Sequence, residues 1–146
     1  MIIAIASDHA GFELKGAIKS HFPEHEFQDY GTYSVDAMDY PDTAVLAARA
    51  VAEGKAERGI LICGTGIGMS IVANKIKGIR AAVCMNADLA RLSRMHNDAN
   101  ILCLAGRFIA VHYALVIVNT WLTTSFEGGR HQIRVDKIKE IEGEKL

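Results

Sequence analysis

Two prolines and three cysteines in 146 residues leave little for covalent or rigid scaffolding. The cysteines, Cys63, Cys84 and Cys103, are odd in number and include no C-x-x-C pair, which argues against a disulfide framework and a cysteine-held zinc, and for a reducing compartment. Charge of either sign is also scarce in excess: 16 basic against 17 acidic residues give a net charge of −1, so no whole-protein field favours nucleic acid or a membrane. No apolar run is long enough to span a bilayer, and the chain starts without a basic, then apolar, signal-peptide pattern. The expectation is a cytoplasmic protein. Internal repeats, linkers, a phosphate-binding G-x-x-x-x-G-K-[ST] and a metal-binding H-E-x-x-H are missing too, so no metal or cofactor is expected.

What is present is a chain that is 50% hydrophobic, of a length suited to one domain over residues 1–146. Short apolar runs at Ile2–Ala6, Gly59–Cys63, Ala81–Met85 and Ile101–Leu104, with a weaker one at Glu26–Asp29, read as strands. Helical spacing recurs between them: Phe12 to Phe22, closed by Pro23; Thr43 to Glu53, stopped at Gly54; Met69 to Lys77; and Ala87 to about Met95. An apolar helix over Ala110–Leu122 and an amphipathic one over Ile133–Ile141 follow. Strand and helix alternate, which predicts an α/β fold: a three-layer α/β/α sandwich around a five-stranded parallel, Rossmann-like sheet. In such sheets ligands bind beyond the carboxyl ends of the strands, so Asp8-His9, Cys63–Ser70 and Met85-Asn86 should share one rim. Gly31–Asp42, with Tyr33 and Tyr40, is long enough for a functional loop.

The stretch Ile60–Ser70, I-L-I-C-G-T-G-I-G-M-S, has the densest chemistry. Gly64, Gly66 and Gly68 let a small anion approach the main chain, and Thr65 and Ser70 add hydroxyls. Their spacing misses the dinucleotide fingerprint, because Met69 and Ile71 stand where its third glycine would be. Cys63 sits at the strand end beside amides that favour a thiolate, able to act as a base or a nucleophile. Asp8 and His9 suit a turn as well as a site, and His96-Asn97-Asp98-Ala99-Asn100 suits capping as well as proton transfer. Arg107, Arg130, His131 and Arg134 can meet a phosphate, the last three just after Gly128-Gly129.

Jointly, S-D-H-A-G at Ser7–Gly11, D-Y-P at Asp39–Pro41, I-C-G-T-G-I-G-M-S at Ile62–Ser70, A-N-K at Ala73–Lys75, H-N-D-A-N at His96–Asn100 and G-G-R-H-x-x-R at Gly128–Arg134 are distinctive. In this order the chain resembles the type B ribose-5-phosphate isomerases, sugar-phosphate isomerases related to those of galactose 6-phosphate and allose 6-phosphate. The resemblance implies that Cys63 is the base moving a proton between C2 and C1 of the open sugar through a cis-enediolate, with Thr65 assisting. It implies an oxyanion hole from the amides of Gly66, Ile67, Gly68, Met69 and Ser70, with Gly64 beside it. Asp8 and His96 would open the furanose ring, Tyr40 and Asn97 would contact the sugar, and His9, Arg107, Arg130 and Arg134 would hold the phosphate. In another branch an acidic residue further along the loop is the base; here Met69 takes its place and Cys63 is present.

The same resemblance implies a homodimer or homotetramer with active sites built from both subunits, and a small phosphorylated sugar as the partner, with no nucleic acid and no membrane. The apolar Ala110–Leu122 helix is compatible with a subunit interface. The expected activity is metal-independent interconversion of ribose 5-phosphate and ribulose 5-phosphate, a pentose phosphate pathway reaction. The alternatives are a six-carbon sugar phosphate, or a non-catalytic binding module that would have no use for Cys63, Thr65 and His96.

Overall fold

Strand ends and turn residues follow one another closely along the chain, and a computed structural model describes residues 1–143 of it. The last three residues of the expected single domain lie outside the described residues. Chain order is β1 (Ile2–Ser7), α1 (Phe12–His21), β2 (Glu26–Asp29), α2 (Tyr40–Ala52), β3 (Arg58–Cys63) and α3 (Ile67–Ala73). Then come β4 (Ala81–Val83), α4 (Ala87–Asn97), β5 (Ile101–Ala105), α5 (Val111–Thr123) and α6 (Arg130–Ile141). All five strands are parallel, in the order β2-β1-β3-β5-β4.

Alternation along the three central strands sorts large side chains from small ones. Ile3, Ile5, Ile60, Ile62, Leu102 and Leu104 face one layer, where they pack with Leu14 and Ile18 of α1 and with Ile117, Val118 and Trp121 of α5. Ala4, Ala6, Leu61, Cys63, Ile101 and Cys103 face the other, against the alanines of α2 and Met69 and Ala73 of α3. Small residues on both sides of that second interface let α2 lie close to the sheet. Cys63 therefore points into the layer that holds α3, the helix its own turn begins. The expected three-layer α/β/α sandwich is the observed one.

The largest differences from the sequence reading are at ends of three helices. α2 starts at Tyr40 rather than Thr43, because Pro41 at the first turn has no N–H to satisfy and its φ is already helical. α3 is shorter, Ile67–Ala73, since the chain turns at Asn74, whose side chain bonds both the amide and the carbonyl of Ala81. α6 begins at Arg130, immediately after Gly128 (φ +69°) and Gly129 (φ +55°). One face of α5 is buried through Ala114, Ile117, Val118 and Trp121, while Val111, Tyr113 and Val116 on the other are exposed. No helix among the described residues is long and apolar enough to cross a membrane.

Direction of winding reverses between β1 and β3, whose following connections leave to opposite sides of the sheet. A crevice opens at such a point. Register puts Ser7 beside Ile62 and Cys63 beside Ala105, so the turns after β1, β3 and β5 emerge level with one another.

Candidate active site

The crevice is a cleft of about 410 Å³ lined by Asp8, Tyr40, Cys63, Gly64, Thr65, Ile67, Gly68, Ile71 and Arg107. These come from the ends of β1, β3 and β5 and from the first turns of α2 and α3. At its floor the Cys63 sulfur, nearly buried, accepts a hydrogen bond from the Gly66 amide at 3.1 Å. That is a contact suited to a thiolate. Cys103 lies fully buried on the next strand, where burial holds its thiol well above the usual value, and burial likewise raises that of Cys84. Neither lines the cleft.

Each glycine of the β3–α3 turn has a separate physical reason. A Cβ on Gly64 would stand 3.2 Å from the Arg107 side chain. Gly66 has φ +75°, in the left-handed region, and a Cβ there would meet the Leu104 backbone at 3.0 Å. Gly68 lies under the Tyr40 ring, 2.6 Å from where its Cβ would sit to the ring carbon Cζ. The loop thus brings together a sulfur, a guanidinium and a phenol.

Donors within the turn are not all equivalent. The Ile67 amide donates to Thr65 Oγ1 at 3.2 Å, and the Ser70 amide to the Gly66 carbonyl at 3.1 Å. Among the described residues, the amides of Gly68 and Met69 have no acceptor. The expected Gly66–Ser70 set therefore narrows at its end: helix formation takes up the Ser70 amide, and the Ser70 hydroxyl donates to the Ile67 carbonyl at 2.7 Å. Met69 is fully buried as a whole residue and does not line the cleft of a single chain, unlike the expected substrate contact.

Asp8 is 7% exposed, and its Oδ1 accepts from the amides of Ala10 and Gly11 at 2.9 and 3.2 Å. It caps the short 3-10 turn His9–Gly11, as the turn reading expects, and it also lines the cleft. Gly11 in that turn has no room for a side chain, because a Cβ would stand 2.6 Å from the Ile62 carbonyl. His9 accepts from the Met38 amide at 3.3 Å through Nδ1, which ties the 31–39 loop to the rim. Farther along, Lys15 and Lys19 pair with Asp29 at 2.8 and 2.9 Å, and Lys15 also donates to the Thr32 carbonyl. Burial pushes the Asp29 carboxyl up, but hydrogen bonds from Lys15, the Gly31 amide and Lys19 outweigh it and leave it below the usual range.

His96, Asn97, Arg130 and Arg134 do not line this cleft within one chain. His96 and Asn97 end α4, and Arg130 and Arg134, both exposed, share one face of α6. His96 instead stacks on His131, ring centroids 4.2 Å apart and planes 14° off parallel. Burial, then the neighbouring His96 and Arg130, holds the His131 imidazole below its usual pKa, against the opposite pull of Glu127. Ile71, whose apolar spacing reads as helix packing, is a cleft residue that sequence reasoning missed; no signal distinguishes an exposed helical Ile at the rim from a buried one. A second, apolar hollow of about 270 Å³ shares Thr65 and Ile67 with the cleft and is completed by Val83, Met85, Ala105 and Phe108. Phe108 is 70% exposed there.

Residues 3–138 match the Ribose/Galactose Isomerase family. The chain is 50% identical over 142 residues to ribose-5-phosphate isomerase B of Escherichia coli, covering 96% of this chain and 95% of that one. Among solved structures it is similar to the Clostridium thermocellum ribose-5-phosphate isomerase B, with a TM-score of 0.96 and 52% identity over 98% of both chains. It is similar also to the Mycoplasma genitalium ribose-5-phosphate isomerase B determined with bound ribulose 5-phosphate, with a TM-score of 0.95 and 44% identity, covering 99% of this chain and 97% of that one.

Proposed function

The chain belongs to the ribose/galactose isomerase family, and on that premise we propose that it interconverts ribose 5-phosphate and ribulose 5-phosphate by proton transfer through a cis-enediolate. The observation that supports this reading is the Cys63 sulfur, held by the Gly66 amide in the same cleft as the unpaired Gly68 amide at the sheet's switch point. A proton α to a carbonyl is weakly acidic, so its removal needs both a base and donors for the oxygen that becomes negative. Cys63 is the base. Its thiolate takes the proton from C2 of the open aldose, and the C2–H electron pair forms the C1–C2 double bond of the enediolate. The resulting thiol returns the proton at C1, while the O2 hydrogen passes to O1 with Thr65 as the nearby hydroxyl. The Gly68 amide, with that of Ile67 shared by Thr65, meets the enediolate oxygens; one such donor is worth about 3 kcal/mol.

Asp8 assists ring opening and Tyr40 contacts the sugar from the other wall of the cleft, and Arg107 meets the phosphate. The ring-opening acid His96, the sugar contact Asn97 and the phosphate ligands Arg130 and Arg134 come from a second copy of the chain. What supports this division is the cleft itself: it contains the base but not these four, and exposed Ile67, Met85 and Phe108 beside it offer an apolar seat for a partner. His9, held at the rim by the Met38 amide, joins Arg107 on the phosphate.

Chelator-treated protein should convert ribose 5-phosphate to ribulose 5-phosphate, with allose 6-phosphate and galactose 6-phosphate assayed in parallel, and Cys63→Ala should lose at least about three orders of magnitude in kcat. Wild-type activity in Cys63→Ala would remove the thiol from its role. Turnover confined to a six-carbon sugar would correct the substrate. Sharing is tested by mixing: at substrate far below KM, where Arg134→Ala alone is nearly inactive, co-expressed Cys63→Ala and Arg134→Ala subunits should recover about a quarter of wild-type activity, from the one intact site in each mixed dimer. No recovery would place the whole site in one chain.

A further inference from the structure

Away from the residues that line the cleft, side chains from three consecutive pieces of chain converge, and the proposed reaction uses one of them, His96, but neither of the others. His96 ends α4, Glu127 follows in the connection after α5, and His131 lies in the first turn of α6. One ligand atom from each falls within 4.8 Å of the other two. The Glu127 amide donates to the Met95 carbonyl at 3.1 Å, which pins the connection to the end of α4. Gly128 and Gly129, both at positive φ, then turn the chain so that His131 comes back beside Glu127.

His131 supplies the feature that points to a ligand. It is 5% exposed, and its Nε2 is buried with no hydrogen-bond partner. That nitrogen lies 3.4 Å from Glu127 Oε2, near enough for an ion pair but off the hydrogen-bond direction. A buried ring nitrogen without a hydrogen-bond partner destabilises the fold unless something meets it. The Glu127 side chain is 44% exposed and leaves an approach from solvent.

We propose that His96, Glu127 and His131 form a binding site for a divalent transition-metal ion of the zinc type. Two imidazoles and one carboxylate are a common zinc donor set that leaves a coordination position open. A metal lies in the plane of each ring that binds it, so two stacked rings cannot both ligate as they stand. His96 is the ring that turns. It is half-buried and makes no hydrogen bond to the described residues, whereas His131 is packed in place. Arg130 and Arg134 are close enough to His131 to oppose a cation, which weakens the site. Because the proposed function gives His96 to ring opening, the bound ion also inhibits turnover; that consequence rests on the isomerase reading, and the binding does not.

The test uses full-length protein stripped with chelator and then freed of it. Calorimetric titration with Zn²⁺ should show about one ion per chain, and Co²⁺ should give visible absorption without a thiolate-to-metal band. Glu127→Gln, at an exposed carboxylate, should keep the fold by circular dichroism and weaken binding about tenfold or more, and Cys63→Ser should leave it unchanged. Zn²⁺ should inhibit the wild type reversibly and the Glu127→Gln variant only at correspondingly higher concentration. Absence of saturable binding, equal affinity in Glu127→Gln, or loss of binding in Cys63→Ser would each overturn the site. Tight binding with undiminished turnover would retain the site and overturn the role of His96. A protein inactive on every sugar would overturn the isomerase reading, leaving the titrations to judge the metal.

Discussion

Gly68→Ala should separate stability from activity at this site. Gly68 is the second residue of α3 and has no positive φ, so alanine fits its backbone and should favour the helix by up to about 1 kcal/mol. Its Cβ, however, would lie 2.6, 2.7 and 3.0 Å from Cζ, Cε2 and Cε1 of Tyr40. Carbon atoms prefer about 3.5–4.0 Å, so the ring must withdraw by about 1 Å. Tyr40 is partly exposed, and the atoms struck are at the far end of its side chain, so the ring can swing without unfolding α2. The helix gain and this displacement nearly offset each other, and the melting temperature should stay within about 3 °C of wild type. Catalysis should not escape, since a misplacement of about 1 Å of a group lining a reactive cleft can cost about 100-fold. We expect kcat/KM to fall about 10- to 100-fold, or about 1.4–2.7 kcal/mol of transition-state stabilisation. The assay is ribulose 5-phosphate formation from ribose 5-phosphate, beside a thermal melt of the same sample. A double-mutant cycle supplies the control: in a Tyr40→Ala background the new methyl group has nothing to strike, so the second substitution should change kcat/KM less than about twofold. Full activity in Gly68→Ala, or the same loss with and without the Tyr40 ring, would refute the reasoning.

Gly66→Ala should instead act on the fold, because a Cβ at φ +75° costs about 1–2 kcal/mol before its contact with the immobile Leu104 backbone at 3.0 Å; a melting point lowered by less than about 3 °C would contradict this. Asp29 predicts an acid limb: its folded pKa lies below the usual 3.8, so the stabilisation by Lys15 and Lys19 is complete above that value and is lost as pH falls through the folded pKa. Urea unfolding across that range should show a shallower loss in Asp29→Asn, and parallel curves would discount the pair. Arg134→Ala should raise KM far more than it lowers kcat, as loss of a phosphate contact demands, and an unchanged KM would exclude that contact.

Much of this architecture is local and could be read from the residues. Side chains alternate with period two along a strand, so I-I-A-I-A-S and R-G-I-L-I-C already separate a large-residue face from a small-residue one. A parallel sheet with helices on both faces follows, together with the rim on which Asp8 and Cys63 stand. The G-x-G-x-G turn likewise predicts close approach of something to the main chain. Tertiary structure alone shows what approaches each glycine: Arg107 at Gly64, the β5 backbone at Gly66 and the Tyr40 ring at Gly68. These contacts join residues distant in sequence through strand order, which local pattern does not encode. Helix ends moved by a few residues for a related reason, as hydrogen bonds from Asn74 to Ala81 decide where α3 stops. The same separation divides the candidate residues. By resemblance His96, Arg130 and Arg134 belong to a site with Cys63 that two subunits build; within a single chain they do not line the cleft, and His96 stacks on His131. Patterning and motif, being properties of neighbouring residues, were determined by the sequence by itself; which groups meet depends on how the layers close and was decided only by the tertiary structure.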